Sequence, residues 1–222
     1  MRALGLDAAG DLGWLGVVVD GGGFRGAALG TVEGLVQWAE PVGAIGIDIP
    51  IGHVPGGRRE ADVQARRFVG PRRSSVFASP PAEALSAASY QEANARLAAA
   101  GMPRMSRQAW NLVPRMREAA AVADVDPRVH EVHPEVSFCE LAAGHLPWSK
   151  TSWNGLLLRR RLLAQAGILL PDHIAEVAGA VADDVVDAAV VAWSAQRIAE
   201  GTAEPLPRPP EPGDGRPVAI WR

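Results

Sequence analysis

Ala3-Leu4-Gly5-Leu6-Asp7 returns nearly unchanged forty-odd residues later as Ala44-Ile45-Gly46-Ile47-Asp48. Both stretches read as β-strands. Side chains alternate along a strand, so each Asp shares a face with the small Ala and Gly, while Leu or Ile fills the other face. As parallel neighbours in register, the two strands would set Asp7 and Asp48 side by side, about 5 Å apart.

The surrounding sequence supplies the rest of a sheet. Leu12 to Val19 and Phe24 to Val32 read as strands joined by the turn Asp20-Gly21-Gly22-Gly23. Glu33 to Ala39 reads as a short helix, and Val42 to Ile51 as a fourth strand, apolar enough to be central and buried. From Val54 to about Pro127 the pattern turns helical, with helices expected over Arg58 to Val69, Ala82 to Ala99 and Ser106 to Ala123. Arg128 to His133 is a fifth strand, Pro134 starts a helix with Glu135 in its first turn, and helices follow at Thr151 to Ala166 and Ala182 to Glu200. Glu204 to Gly215 reads as an extended Pro- and Gly-rich tail, though Pro217 to Trp221 can dock as an edge strand. The expectation is an α/β domain over residues 1–203, a mixed five-stranded sheet flanked by helices. A helical insertion at about 54–127 separates strands four and five, and a tail covers 204–222.

Composition narrows the class. At 222 residues, 48% of them hydrophobic and 21% charged, one core with an insertion is favoured over two domains. A net charge of -3 argues against coating nucleic acid by bulk attraction. The single cysteine, Cys139, makes no intrachain disulfide, Asp7 interrupts what a signal peptide would need, and no stretch suits a bilayer. A cytoplasmic protein is expected. Lys150 is the only lysine, which fits the codon usage of a GC-rich gene better than a phosphate-binding surface.

Carboxylates carry the chemistry. The two strands bring no Lys or Arg to balance Asp7 and Asp48, and a hard divalent ion such as Mg²⁺ or Mn²⁺ is the natural partner for such oxygens. The plainer reading is that each Asp caps the turn beyond its strand. Asp183-Asp184-Val185-Val186-Asp187 opens a buried helix; Asp183 suits the N-cap, while Asp184 and Asp187 lie one turn apart and can point the same way, or simply favour the helix dipole. Glu131, on the fifth strand, is either a ligand or the partner of an arginine. Arg59, Asp62 and Arg66 form either a solvated face or, with the two arginines, a contact to substrate phosphate.

Other signals point away from alternative chemistries. Gly21-Gly22-Gly23-Phe24-Arg25-Gly26 fits a dinucleotide fingerprint, but a strand follows it instead of a helix. His130 and His133 fall on opposite faces of a strand, and neither a zinc motif nor a nucleophile elbow is present.

An Asp on strand one, an Asp on strand four and Asp184-Val185-Val186-Asp187-Ala188 at the last buried helix resemble the ribonuclease H-like superfamily, especially its RuvC-type resolvases. Gly46 to Gly52, Arg59 to Arg66, Ser74-Ser75-Val76-Phe77, His130 to Glu135 and Asp183 to Ala188 resemble, more narrowly, the family called domain of unknown function 429, described as predicted nucleases. The resemblance covers nearly the whole chain except the tail. It implies a metal-dependent nuclease acting on DNA or RNA, with Asp7, Asp48 and one or both of Asp184 and Asp187 holding two Mg²⁺ or Mn²⁺ ions. Glu131 would be a ligand or would orient the attacking water, and Arg59, Arg66, Lys150 and Arg159 match positions at the substrate. Two rivals remain at this level. An ATP-dependent phosphotransferase would need Ser or Thr in the first hairpin, where Ala8-Ala9-Gly10-Asp11 stands, and a non-catalytic binding module would not need the full set of acids.

Overall fold

In the computed structural model, described over residues 1–54 and 58–222, the chain forms a mixed five-stranded sheet between two layers of helices. Residues 55–57, at the start of the stretch expected to turn helical, lie outside the described residues. Strands β1 (Ala3–Ala8), β2 (Trp14–Asp20) and β3 (Gly23–Gly30) form an antiparallel meander. Gly21 and Gly22 both take positive φ at its second turn, the backbone that a two-residue hairpin loop requires. Helix α1 (Val32–Ala39) leads to β4 (Ala44–Ile47), which pairs in parallel with β1. This strand is shorter than expected because Pro50 cannot donate to a ladder and turns the chain out of the sheet.

Next come α2 (Glu60–Phe68), α3 (Ala82–Leu85), α4 (Tyr90–Ala99) and α5 (Arg107–Val125). The single helix expected over Ala82 to Ala99 is broken at Ser89. Its hydroxyl accepts from the Glu92 amide while the Glu92 carboxylate accepts from the Ala88 amide, a reciprocal cap that starts a second helix. Strand β5 (Val129–Glu131) then pairs in parallel with β4, giving the order β3-β2-β1-β4-β5. After it come α6 (Pro134–Leu141), α7 (Trp153–Gln165) and α8 (Ala182–Ala199). The Pro-rich end forms a two-stranded ribbon of β6 (Pro205–Glu211) and β7 (Val218–Trp221), and Trp221 bridges in parallel to Val132 beyond the edge of β5.

The two faces of β1 and β4 divide the molecule as their alternation requires. Leu4, Leu6, Ile45 and Ile47 pack with α1 and α5, where Leu35, Met116 and Ala119 complete one core. The Ala and Gly positions face α8. A Cβ on Gly5 would stand 2.2 Å from both the Ala188 carbonyl oxygen and the Ala192 nitrogen, and one on Gly46 would stand 2.9 Å from the Val191 carbonyl oxygen. The glycines therefore let the helix backbone lie directly on the sheet. This contact sets the site, because Asp7 lies two residues beyond Gly5, about 6.6 Å further along β1, and Asp187 directly precedes Ala188, one of the two residues above Gly5, on α8.

Gly5→Ala is accordingly expected to destabilise the chain by about 3 kcal/mol, since backbone, not a movable side chain, fills the space a methyl would need. A denaturant melt measures it; a loss under about 0.5 kcal/mol would mean that α8 does not rest on Gly5.

Candidate active site

Asp7 closes β1, Asp48 follows β4, and Asp187 sits in the second turn of α8. The Asp48 amide donates to the Leu6 carbonyl at 2.9 Å, which continues the β1–β4 register and sets the first two acids side by side. All three line a cavity of about 460 Å³, together with Glu135 from α6 and Lys150 from the loop before α7. Lys150 Nζ donates to Asp187 Oδ2 at 2.5 Å and stands 3.6 Å from Asp183. Asp183 lies in the first turn of α8 and is not its cap; Val181 holds that position. Asp184 is half-buried one turn nearer the solvent, and burial and its neighbour Asp183 raise its carboxyl.

Three carboxylates, Asp7 and Asp187 buried and Asp48 partly so, thus face one ammonium, and the imbalance shows in their acidities. Burial pushes Asp48 up to about 7, against the pull of Lys150. Asp187 also rises to about 7 by burial, Lys150 opposing and Asp48 adding to it. Asp7 is raised well above the usual carboxylate range by burial, then by Asp48 and Asp187. Lys150, with Asp187, Asp7 and Asp48 near it, is held firmly charged in spite of its own burial.

Two other acids on the cavity wall have arginine partners. Glu131 Oε1 accepts from Arg59 Nη2, and its Oε2 accepts from the Ile51 amide at 2.8 Å. The same guanidinium lies 3.2 Å from Asp62. Glu131 and Arg59 are 5% and 1% exposed and form a buried ion pair, the arginine partnership that the sequence offered for Glu131 as one alternative. Arg159 is likewise 1% exposed and donates to Glu135 Oε1 at 2.5 Å and to the Trp148 and Gly155 carbonyls, so it braces the site. Arg66 remains exposed and donates to the Val76 carbonyl at 2.9 Å.

The sequence reading gave Glu135 no site role. Its Oε2 is buried in the cavity without a hydrogen-bond partner. The signal that could have found it is its place in the first turn of the helix that follows β5, beside the strand carrying the second Asp. His133 also lines the cavity and caps that helix: Nδ1 accepts from the Glu135 amide, which leaves the proton on Nε2, 3.3 Å from the Ser75 carbonyl. Burial lowers its pKa, so the ring is a neutral strut.

Among the described residues, no group of three or more His, Cys, Asp and Glu side chains is gathered tightly enough to enclose a metal ion. The donor set nevertheless suits a hard cation in kind. Asp187 Oδ1 and Glu135 Oε2 are buried oxygens without partners, next to two further carboxylates.

These acidities fix a pH response. Asp48 and Asp187 keep protons when folded at a pH where free carboxyls, near 3.8, have lost them. Their contribution to stability is complete below about pH 4 and is lost as pH rises through about 7. Burial lowers His53, His130 and His133, whose contribution is lost as pH falls below 6.5, so the two trends offset in the acid range. Above 6.5 the carboxylates act alone. The melting temperature in EDTA is therefore expected to fall by roughly 3 °C or more between pH 6.5 and 8.5, and by less in Asp48→Asn. A rise over that interval would contradict the crowded-acid description.

No helix among the described residues is long and apolar enough to cross a membrane. No curated protein and no solved structure matches the chain. The sequence model of one family, described as protein of unknown function (DUF429), matches residues 5–212, from just before Asp7 to beyond α8. By that match over most of its length, the chain belongs to the DUF429 family.

Proposed function

We propose that the chain is a metal-dependent hydrolase of phosphodiester bonds in nucleic acid, built on a ribonuclease H-like core with residues of about 54–127 as its insertion. The observation that carries this reading is the arrival of Asp7, Asp48 and Asp187, from three separate elements, at one cavity with a single ammonium to balance them. The strand order β3-β2-β1-β4-β5, antiparallel in its first three strands and parallel in the rest, is consistent with such a core. The first hairpin turn carries Asp11 and no hydroxyl residue, which disfavours a phosphotransferase.

Asp7, Asp48 and Asp187 would hold two Mg²⁺ or Mn²⁺ ions with Glu135 beside them, and Asp184, one turn away on α8 and outside the cavity lining, would contribute less. Such ions would supply Lewis-acid polarisation of a phosphoryl oxygen and would make a bound water more acidic. The protein's own groups prepare the rest. Glu135 Oε2 offers a fixed acceptor for a water proton, since Arg159 holds the other oxygen. Lys150, 37% exposed on a flexible stem, can turn from Asp187 to a phosphate oxygen as charge develops there. Met116, Leu112 and Val76, from the α2 to α5 segment, line the same cavity as the acids and give it an apolar side.

The test uses purified protein, bis(p-nitrophenyl) phosphate and a labelled oligonucleotide, each with Mn²⁺ and with EDTA. Hydrolysis that needs Mn²⁺ and disappears in Asp48→Asn is expected. Activity that is indifferent to EDTA, or equal in the variant, would overturn the proposal.

A further inference from the structure

Around the cavity mouth the chain places flat rings and positive charge together. Phe77 lines the cavity yet is 55% exposed, an unusual place for a large apolar ring on a segment bounded by buried Val76 and Ser79. Ser149, Lys150 and Thr151 also line the cavity, and this stretch is bracketed by Trp148, 45% exposed, and Trp153, 72% exposed. Two residues of chain reach at most about 7 Å, so Trp153 stands close to the mouth.

The charge over this region opposes the net -3 of the protein. Between residues 58 and 77 there are six arginines against Glu60 and Asp62. Arg59 is consumed by its buried pairs, but Arg66, Arg67 and Arg73 are exposed, and Arg72 lines the cavity beside Ser74 and Ser75. Arg66 also ties down the Val76 carbonyl and so steadies the approach to Phe77.

Cavity shape selects the form of nucleic acid. A volume of about 460 Å³ takes one drug-sized group, hence one unstacked nucleotide, and is too small for a stacked base pair. Exposed rings beside a basic rim are the surface that unpaired bases use, because every base has a face to stack and the backbone follows the charge.

From the rings, the arginines and the cavity size together, we infer that the substrate is an unpaired strand or strand end, with bases stacked on Phe77 and Trp153 and phosphates led inward by Arg72 and Lys150. This inference rests on the proposed phosphodiesterase reading and adds the substrate's form to it. Because the floor of the cavity is acidic, strand binding should need a divalent ion and should weaken as salt rises.

Binding is measured by fluorescence anisotropy in Ca²⁺, using labelled oligonucleotides of about 12 residues, both DNA and RNA, and a blunt duplex of the same sequence. Single strands are expected to bind at least roughly ten-fold more tightly than the duplex, and Phe77→Ala and Trp153→Ala each to weaken them by roughly five-fold or more. Both side chains are exposed, so these variants should keep the wild-type melting temperature. Equal affinity for duplex, no binding of either form, or unchanged strand affinity in the Phe77→Ala/Trp153→Ala double variant would overturn the inference. Mn²⁺-dependent hydrolysis of bis(p-nitrophenyl) phosphate by the wild type is read separately, so the hydrolase proposal stands or falls on its own result.

Discussion

Asp7→Asn is expected to leave the metal-free chain as stable as the wild type or more stable by about 1 kcal/mol, while lowering phosphodiester hydrolysis by roughly 10³-fold. The stability part follows from crowding. Asp7 is buried with Asp48 and Asp187, both of which raise its pKa, and the amide keeps the shape and the oxygen that accepts the Ala8 amide at 2.8 Å. A neutral amide removes the cost of holding a third acid in so crowded and poorly solvated a place at neutral pH. A divalent ion that binds only the folded state should raise the wild-type melting temperature roughly with the logarithm of its concentration once above its Kd, and raise that of the variant much less. If Asp7 were merely capping a turn, the variant should lose about 1 kcal/mol with or without Mn²⁺. Thermal melts of both proteins in EDTA and in Mn²⁺ separate the two, and a destabilised, metal-indifferent variant would remove Asp7 from the site.

The legibility of this site in the sequence has a physical basis that differs from residue to residue. Asp7 and Asp48 were readable because a strand's two-residue period ties them to Gly5 and Gly46, whose lack of a side chain is what admits α8. Asp187 was readable as one of two acids on an apolar helix, but only packing decides that it, and not Asp184, turns inward. The partners of the buried arginines were not readable. Arg59 meets Glu131 across 72 residues and Arg159 meets Glu135 across 24, and no local pattern encodes such a choice. Four prolines between residues 205 and 210 masked β6, since proline is rare in ladders; the ribbon tolerates them because its pairing is irregular.

The Arg59 pairing has the largest expected effect on stability. Arg59→Met keeps much of the apolar stem but leaves Glu131 buried beside Asp62 with no cation in reach of its Oε1, and it should destabilise the chain by about 3–5 kcal/mol at neutral pH. Burial already pushes Glu131 up to about 7, with Arg59 and the Ile51 amide opposing, so loss of the guanidinium should raise it further. The loss should then be greatest above pH 7 and shrink toward pH 5, as the stranded carboxyl takes up a proton that neutralises it. A second change identifies the cause. In Arg59→Met/Glu131→Gln no charge is stranded at Glu131, and the amide can still accept from Ile51, so much of the lost stability should return and the pH dependence should flatten. Were Arg59 instead a surface contact to substrate, Arg59→Met would weaken oligonucleotide binding and leave the melting temperature in place. Denaturant melts of the two variants between pH 5 and 8 distinguish a brace from a substrate contact, and additive losses in the double variant would show that the two side chains are not coupled.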